Sequence, residues 1–466
     1  MGGMSSRAPS ARPSLEIGET IELEVTGIAH GGVSVARHDG RVVFVADAVP
    51  GESVRARVTD AKKKSFARAT TVEVLEASRD RRPHVWAEAD LARDPEDRAG
   101  GAEFGHIALE RQRTLKAEVL ADAMRRFGGV RLAAEEGEDL ADALSELVEP
   151  APGDAAGGLA GVHHASAPGL ADTHHASAPG LGYRTRVRLH VDPRTGAVGP
   201  YAARSRRVIT VDSLPLATPG INQIAPLHDL MPGVDAVDLV APAADDPRML
   251  LTLSGEKGRA GEHDAIRELV EDRGFVVRAG GFWQVHREAP AVLFTAVRDA
   301  ISDLADDGRF DPAAANLDLY GGAGLLAAAM AEAAGPGLRV TTVETDAGAT
   351  DDAAENLSEL VGALALTARV DRHLAELLRA AAPVRERLRR GTVLLDPPRS
   401  GAGGAVMGQI AELSPAGVVY VACDPVALAR DTGTLRDAGY ELTSLRAFDI
   451  FPHTHHFETL AVFQRT

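Results

Sequence analysis

Cysteine is nearly absent from this 466-residue chain, which carries only Cys423. One thiol excludes an internal disulfide, a four-cysteine zinc site and an iron–sulfur cluster held by the chain itself. Long apolar runs are missing too. No stretch reaches the ~18 uncharged apolar residues of a membrane span, so a soluble, cytoplasmic protein with no membrane partner is expected. Positive charge is in deficit: 50 Lys and Arg stand against 67 Asp and Glu, a formal charge of −17. Bulk charge therefore cannot bind a polyanion, and any nucleic acid must be held by a local basic patch. What is present is ordinary globular composition, 45% hydrophobic and 25% charged. At ~100–200 residues per domain the length predicts roughly two to four domains. The opening MGGMSSRAPSARPS has no apolar core and reads as a loose tail.

From Leu15 to Ala77 short alternating runs are broken at His30-Gly31-Gly32, Asp39-Gly40 and Pro50-Gly51. Period-two alternation with such breaks predicts a small antiparallel barrel. Lys62, Lys63 and Lys64 fall in a hairpin between two of its strands. In an acidic chain they are read as a nucleic-acid contact in preference to a solvated turn. Helical spacing from Phe104 to Val130 closes on Gly128-Gly129. Residues 131–182, rich in Ala, Gly and acid, contain HHASAPGL twice, at 163–170 and 174–181. That tandem copy reads as a duplication in a disordered linker and receives no function. In YRTRVRLHVDP (183–193) Arg184, Arg186 and Arg188 alternate with apolar residues, so a strand there would carry them on one face. Residues 314–466 alternate strand-like runs with helices, among them one long helix ending at Arg390. This is the pattern of a doubly wound, mostly parallel sheet, whose ligands bind at the carboxyl ends of the strands.

Those ends carry the candidate chemistry. Tyr320 opens the turn Gly321-Gly322-Ala323-Gly324, and Glu344 closes the next strand. An acid about twenty residues after a glycine turn suits a ribose diol, without separating a dinucleotide from S-adenosylmethionine. Asp371 could receive an adenine amino group or simply cap a helix. Asp396-Pro397-Pro398 is a rigid acid-Pro-Pro loop, since neither proline can donate to the ladder. Cys423, just before a helix starting near Val426, is read as a nucleophile whose thiol pKa the helix N-terminus would lower. His453, His455, His456 and Glu458 could ligate a metal, but in an extended run the histidines diverge, so no metal site is assigned. Glu458 as a general base beside Cys423 is the preferred reading.

Together these stretches resemble the uracil-5 RNA methyltransferases that carry an N-terminal TRAM domain. The resemblance rests on HGGVSVARHDGRVVFVADAVPGE (30–52), Gly-Tyr-Arg-Thr-Arg (182–186), Phe282-Trp283-Gln284-Val285-His286, DLYGGAG, Glu344, DPPRSG, YVACDPVALARD (420–431) and FPHTHHFET (451–459), in the family's order. It implies a tail at 1–14, an OB-like RNA-binding barrel at 15–77 and an α+β central RNA-recognition domain at 78–262 with its disordered insertion at about 131–182. The Rossmann-like methyltransferase domain would span 263–466. By that resemblance Gln284, Tyr320, Glu344 and Asp396 would bind S-adenosylmethionine, Cys423 would be the nucleophile and Glu458 the base. The partner would be structured RNA, transfer or ribosomal, bound by a monomer.

Departures from the family pattern are specific. Where many members have a Cys-Gly-Gly-Cys segment for a four-iron cluster, this chain reads Ala99-Gly100-Gly101-Ala102, so no iron–sulfur cluster is expected. Leu325 replaces an Asn after the glycine loop, and His286 replaces an Asn in the FQVN motif. An amino-directed methyltransferase also uses an acid-Pro-Pro loop but needs neither Cys423 nor Glu458. A non-catalytic RNA-binding chaperone retaining the fold is the alternative, and it leaves both residues unexplained.

Overall fold

The computed structural model describes residues 15–132, 146–154 and 178–465. The expected tail at 1–14 and nearly all of the HHASAPGL pair lie outside the described residues. Strands β1 (Thr20–Ala29), β2 (Val33–His38), β3 (Arg41–Ala46), β4 (Ser53–Asp60) and β5 (Phe66–Glu76) close into a barrel in the order β1-β2-β3-β5-β4. Ile21, Leu23 and Val25 point inward while Glu22 and Glu24 between them face out, which is the period-two pattern made solid. The barrel is not wholly antiparallel as expected: β3 and β5 run parallel. An odd number of strands cannot close on itself with every neighbour reversed. Asp39 and Gly40 both take positive φ, 49° and 78°, as a two-residue hairpin turn requires.

Buried ion pairs tie the barrel to the segment after β5. Glu52, fully buried, accepts from Arg81, and Asp47 accepts from the buried Arg98 at 2.6 Å. The helix Leu109–Ala123 runs on through one wider turn to Gly128 and stops where Gly129 turns left-handed, as the Gly-Gly pair predicts. After it come β6 (Val148–Pro150), β7 (Arg186–Val191), β8 (Val198–Gly199), β9 (Val234–Val240) and β10 (Arg248–Leu253). Four of these form a sheet in the order β10-β9-β7-β8, followed by the hairpin β11 (Ala265–Val270) and β12 (Arg273–Arg278).

The remaining strands are β13 (Asn316–Leu319), β14 (Val340–Glu344), β15 (Ala363–Thr367), β16 (Thr392–Leu395), β17 (Gly417–Ala422), β18 (Tyr440–Asp449) and β19 (Glu458–Arg465). Their order is β15-β14-β13-β16-β17-β19-β18, and β6 completes the far edge. The strands from β15 to β17 are parallel and β19 is antiparallel to both neighbours. Val418 and Tyr420 pack into the core on one face, Val419 and Val421 into the core on the other. Both faces are thus covered, which is why these strands are apolar throughout. Chain order reverses between β13 and β16, the switch point at which sheets of this kind bind ligands. The long helix expected to Arg390 is two helices, Val370–Leu378 and Ala382–Arg389, because Pro383 stands in the first turn of the second. That β6 precedes residue 263 yet pairs with β18 means the C-terminal sheet recruits a strand from the segment assigned to the central domain.

Candidate active site

At the switch point β13 delivers Asp318 and then the glycine turn. Tyr320 takes φ 63°, a conformation costly for a side chain with a Cβ, and Gly322 and Gly324 follow at 51° and 86°. A Cβ at Gly321 would lie 1.8 Å from Thr342 Oγ1 and 2.5 Å from Asp318 Oδ2, so only glycine fits there. Glu344, ending β14, accepts from Gly322 N at 3.3 Å and from Asp346 N at 3.0 Å. Asp318 is fully buried: Oδ2 accepts from Thr342 Oγ1 at 2.8 Å, while Oδ1 has no partner among the described residues. Burial pushes its carboxyl up to about 7. Asp396 is likewise pushed up to about 7 by burial, with Asp318 adding to it.

The other expected cofactor residues divide. Gln284 is buried in a segment tied to the chain before β7 through Thr185 N and Val285 O, 2.8 Å apart. Its neighbour His286 stacks on Tyr183 and its Nδ1 accepts from Glu288 N, so this substitution serves local packing. Leu325 is buried in the core and offers no polar group to the turn. Asp371 stands in the first turn of its helix with both carboxylate oxygens taken by Arg369, at 3.0 and 2.9 Å. The structure therefore engages Asp371 locally and does not present it free.

Cys423 and Glu458 meet at the seam between β17 and β19. The ladder pairs Ala422 with Thr459, so the next positions, Cys423 and Glu458, stand opposite one another. Glu458 is buried, and its Oε2 has no partner among the described residues. Burial, followed by the charge of Asp396, pushes its carboxyl well above the usual range, opposed by Arg399. The expectation that the helix N-terminus lowers the Cys423 thiol is corrected here. Burial, then Glu458 and Asp396, push it up to about 12. The helix Pro425–Asp437 does begin there, but Asp424 caps it, accepting from Val426 N at 3.0 Å and Ala427 N at 2.8 Å. A carboxylate spent on the cap cancels the positive helix end that the thiol would otherwise feel.

Other parts of the chain wall this seam. Cys423, Arg399, Lys116 and the barrel turn at His30 line one cavity. The loop leading to Glu458 is gripped from the helix Leu109–Ala123: Gln112 accepts from His453 N at 2.7 Å, and Lys116 donates to Asp449 at 2.5 Å and to the Phe451 carbonyl at 3.1 Å. Among the described residues Glu103, His455 and His456 have donor atoms within 4.8 Å of one another. Glu103 pairs with His455, while Arg399 and Lys116 both disfavour positive charge on His456, and a divalent cation would meet the same repulsion. His453, one of the histidines weighed for a metal, is instead buried against Gln112. Sequence reasoning passed over Asp318, Lys116, His30 and Arg399 as site residues. Asp318, His30 and Arg399 stood inside quoted motifs; nothing in the sequence marked Lys116 or joined His30 to Cys423.

The basic candidates also part. Lys62, Lys63 and Lys64 are exposed between β4 and β5, where Arg41 donates to the carbonyls of Ala61 and Phe66 and fixes the turn. Arg186 is turned to structural use, donating to the Ala279 and Gly281 carbonyls with Glu268 at 3.6 Å. Arg188 is half exposed beside Asp238, and Arg184 precedes the strand and lies over the Tyr183 ring. Arg186 and Arg188, two positions apart on β7, share a face and line one cavity with Arg184, but Arg186 is engaged by its carbonyl and carboxylate partners, as a buried guanidinium requires.

An α/β sheet with this strand order, acidic strand ends around a glycine turn, and a closed five-stranded barrel ahead of it define a methyltransferase-type enzyme with an appended nucleic-acid-binding module. Comparison with known proteins agrees. The descriptions TRAM domain and tRNA (Uracil-5-)-methyltransferase match residues 14–72 and 360–466. An uncharacterized RNA methyltransferase of Streptomyces avermitilis is 32% identical over 474 residues, covering 96% of this chain and 99% of the relative. The 23S rRNA (uracil(1939)-C(5))-methyltransferase RlmD of Alkalilimnicola ehrlichii is 30% identical over 507 residues, covering 96% and 97%. In fold the chain is similar to the tRNA (uracil-54, C5)-methyltransferase of Pyrococcus abyssi, crystallised with S-adenosyl-L-homocysteine. The TM-score is 0.62 at 17% identity, covering 95% of this chain and 99% of that one. The chain belongs to the TRAM-domain RNA uracil-5-methyltransferase family, whose members are S-adenosylmethionine-dependent enzymes.

Proposed function

We propose that this enzyme forms 5-methyluridine in structured RNA through a covalent adduct between Cys423 and uracil C6. The observation that carries the reading is the seam itself, which sets the only cysteine opposite a buried carboxylate. The residues at the switch point suit S-adenosylmethionine: the unpartnered Asp318 Oδ1, the open space at Gly322, where a Cβ would meet nothing within 4 Å, and acids that are acceptors for a cationic ligand. In this reading Tyr320, Glu344 and Asp396, with Gln284, hold the ligand. When bound, it supplies an electrophilic methyl group.

Uracil C5 is a weak nucleophile, so the chain must first make it electron-rich. The Cys423 thiolate adds at C6, forming the S–C6 bond and moving the C5–C6 π pair onto an enolate running to O4. A thiol held up to about 12 is inert at rest. Arg399, the cation that opposes this shift, favours the thiolate. C5 then takes the methyl group. Glu458 removes the C5 proton, the electron pair reforms the C5–C6 double bond, and the S–C6 bond breaks to return the thiolate. A desolvated carboxylate with a raised pKa is the stronger base this step needs. The target carbon is reachable only if the uridine is flipped out of its stack. The barrel, with Lys62–Lys64, and the surface around Arg184 and Arg188 hold the flanking backbone. Of the two RNA classes we favour ribosomal RNA, because the near-full-length relative RlmD is named for 23S rRNA. Mapping 5-methyluridine across total RNA with and without the gene tests both the modification and the class: loss of a ribosomal site is expected, and an unchanged map refutes the proposal.

A further inference from the structure

The turn between β1 and β2 of the barrel lies against both catalytic segments. On one side His30 Nε2 and Asp424 Oδ2 are 2.7 Å apart, a hydrogen bond that the imidazole donates. Asp424 follows Cys423 directly, and its other oxygen caps the helix Pro425–Asp437, so its carboxylate is engaged on both sides. On the other side Gly32 presses on His455, which precedes Glu458 by a few residues. A Cβ at Gly32 would lie 2.5 Å from the Cβ of His455 and 2.9 Å from its Cγ. No side chain fits between them. Gly31, its neighbour, has nothing within 4 Å, although both glycines take left-handed φ, 86° and 71°. His30, Gly31 and Gly32 line the cavity that contains Cys423.

We propose that this barrel turn positions the nucleophile and the base relative to each other and closes the pocket that takes the flipped pyrimidine, with His30 a positioning residue acting through Asp424. The barrel then acts on turnover as well as on RNA affinity. The proposal rests on the covalent reading given above. Its physical content is that Cys423-Asp424 and the loop at His455 run beyond the last ladder pair, Ala422 with Thr459, and the barrel turn touches both. If the turn lifts, the thiol and the carboxylate lose their common wall, and a shift of about 1 Å at a reacting centre costs on the order of 100-fold in rate.

The two glycines supply a matched test in the full-length protein. Gly31→Ala and Gly32→Ala impose the same left-handed strain on the turn, but only Gly32→Ala drives a methyl group into His455. We expect Gly32→Ala and His30→Ala to lower kcat by roughly 10- to 100-fold with RNA affinity within a few-fold of wild type. Gly31→Ala should cost clearly less than Gly32→Ala, and His30→Gln, whose amide can still donate to Asp424, should recover part of the loss. Iodoacetamide alkylation of Cys423, the only thiol in the chain, reads the same seam without RNA or methyl donor. Hydrating the pocket raises the thiolate fraction, so alkylation should become several-fold faster in Gly32→Ala and His30→Ala and stay unchanged in Gly31→Ala. Equal damage from the two glycine variants, or losses confined to RNA affinity with kcat and alkylation unchanged, overturns the proposal. If instead wild type transfers no methyl group to uracil, the covalent reading fails, while the alkylation contrast still decides whether the turn seals the pocket.

Discussion

Asp318 and Asp396 end adjacent strands, β13 and β16, and the charge of Asp318 helps keep the Asp396 carboxyl protonated up to about 7. Asp318 is buried and Asp396 partly so, at the place where a cationic methyl donor would sit. A bound cation favours the ionised form, so binding must release protons wherever the free site holds them. S-adenosylmethionine affinity should therefore rise as pH increases from about 6 to 8, by up to roughly tenfold per pH unit for one linked proton, and level off above. Calorimetry across that range, in buffers of different ionisation enthalpy, checks the sign. A Glu344→Ala variant should lose about 1.5–3 kcal/mol of binding at any of these pH values, the scale for hydrogen bonds to a charged acceptor. A flat pH response, or unaltered binding by Glu344→Ala, would count against the site.

Lys116 and Asp449 form an ion pair in which both side chains are almost wholly inaccessible. Removing one partner leaves a buried charge without compensation. Lys116→Ala should destabilise the protein by about 3–5 kcal/mol, and Lys116→Met paired with Asp449→Leu should recover much of that loss. Chemical denaturation of the three proteins makes the comparison. A Lys116→Ala protein as stable as wild type would mean the pair does not hold the loop that leads to Glu458.

The Lys62–Lys64 turn is exposed between β4 and β5. Replacing all three lysines with alanine should weaken RNA binding and flatten its salt dependence by ~0.7–0.9 in slope for each phosphate that is no longer neutralised. Filter binding at several salt concentrations reports both. An unchanged slope would place the RNA elsewhere on the protein.

Much of the fold was legible because it follows from local pattern: alternation and Asp-Gly breaks in the barrel, βα alternation and acidic strand ends in the sheet. The parallel closure of β3 on β5 was hidden, since it follows from strand number around a ring and not from any one segment. The site was legible where a motif carries its own neighbours, as around Cys423 and Glu458. It was misread where side-chain partners, near or far in sequence, set the physics. Asp424 caps the helix that was expected to activate Cys423, Arg369 occupies Asp371, and Glu268 and two carbonyls engage Arg186 on the face it shares with Arg188. His30, Gln112 and Lys116 act on residues hundreds of positions away, a relation no periodicity encodes.

The covalent mechanism assigns Cys423 and Glu458 to opposite sides of one intermediate, and a denaturing gel of protein incubated with substrate RNA and S-adenosylmethionine separates them. Glu458→Gln should add and methylate but fail to remove the C5 proton, so it should accumulate as a slower, RNA-linked band, and Cys423→Ala should run as free protein with no methyl transfer. Turnover retained in Cys423→Ala, or normal turnover without an adduct in Glu458→Gln, would contradict the account.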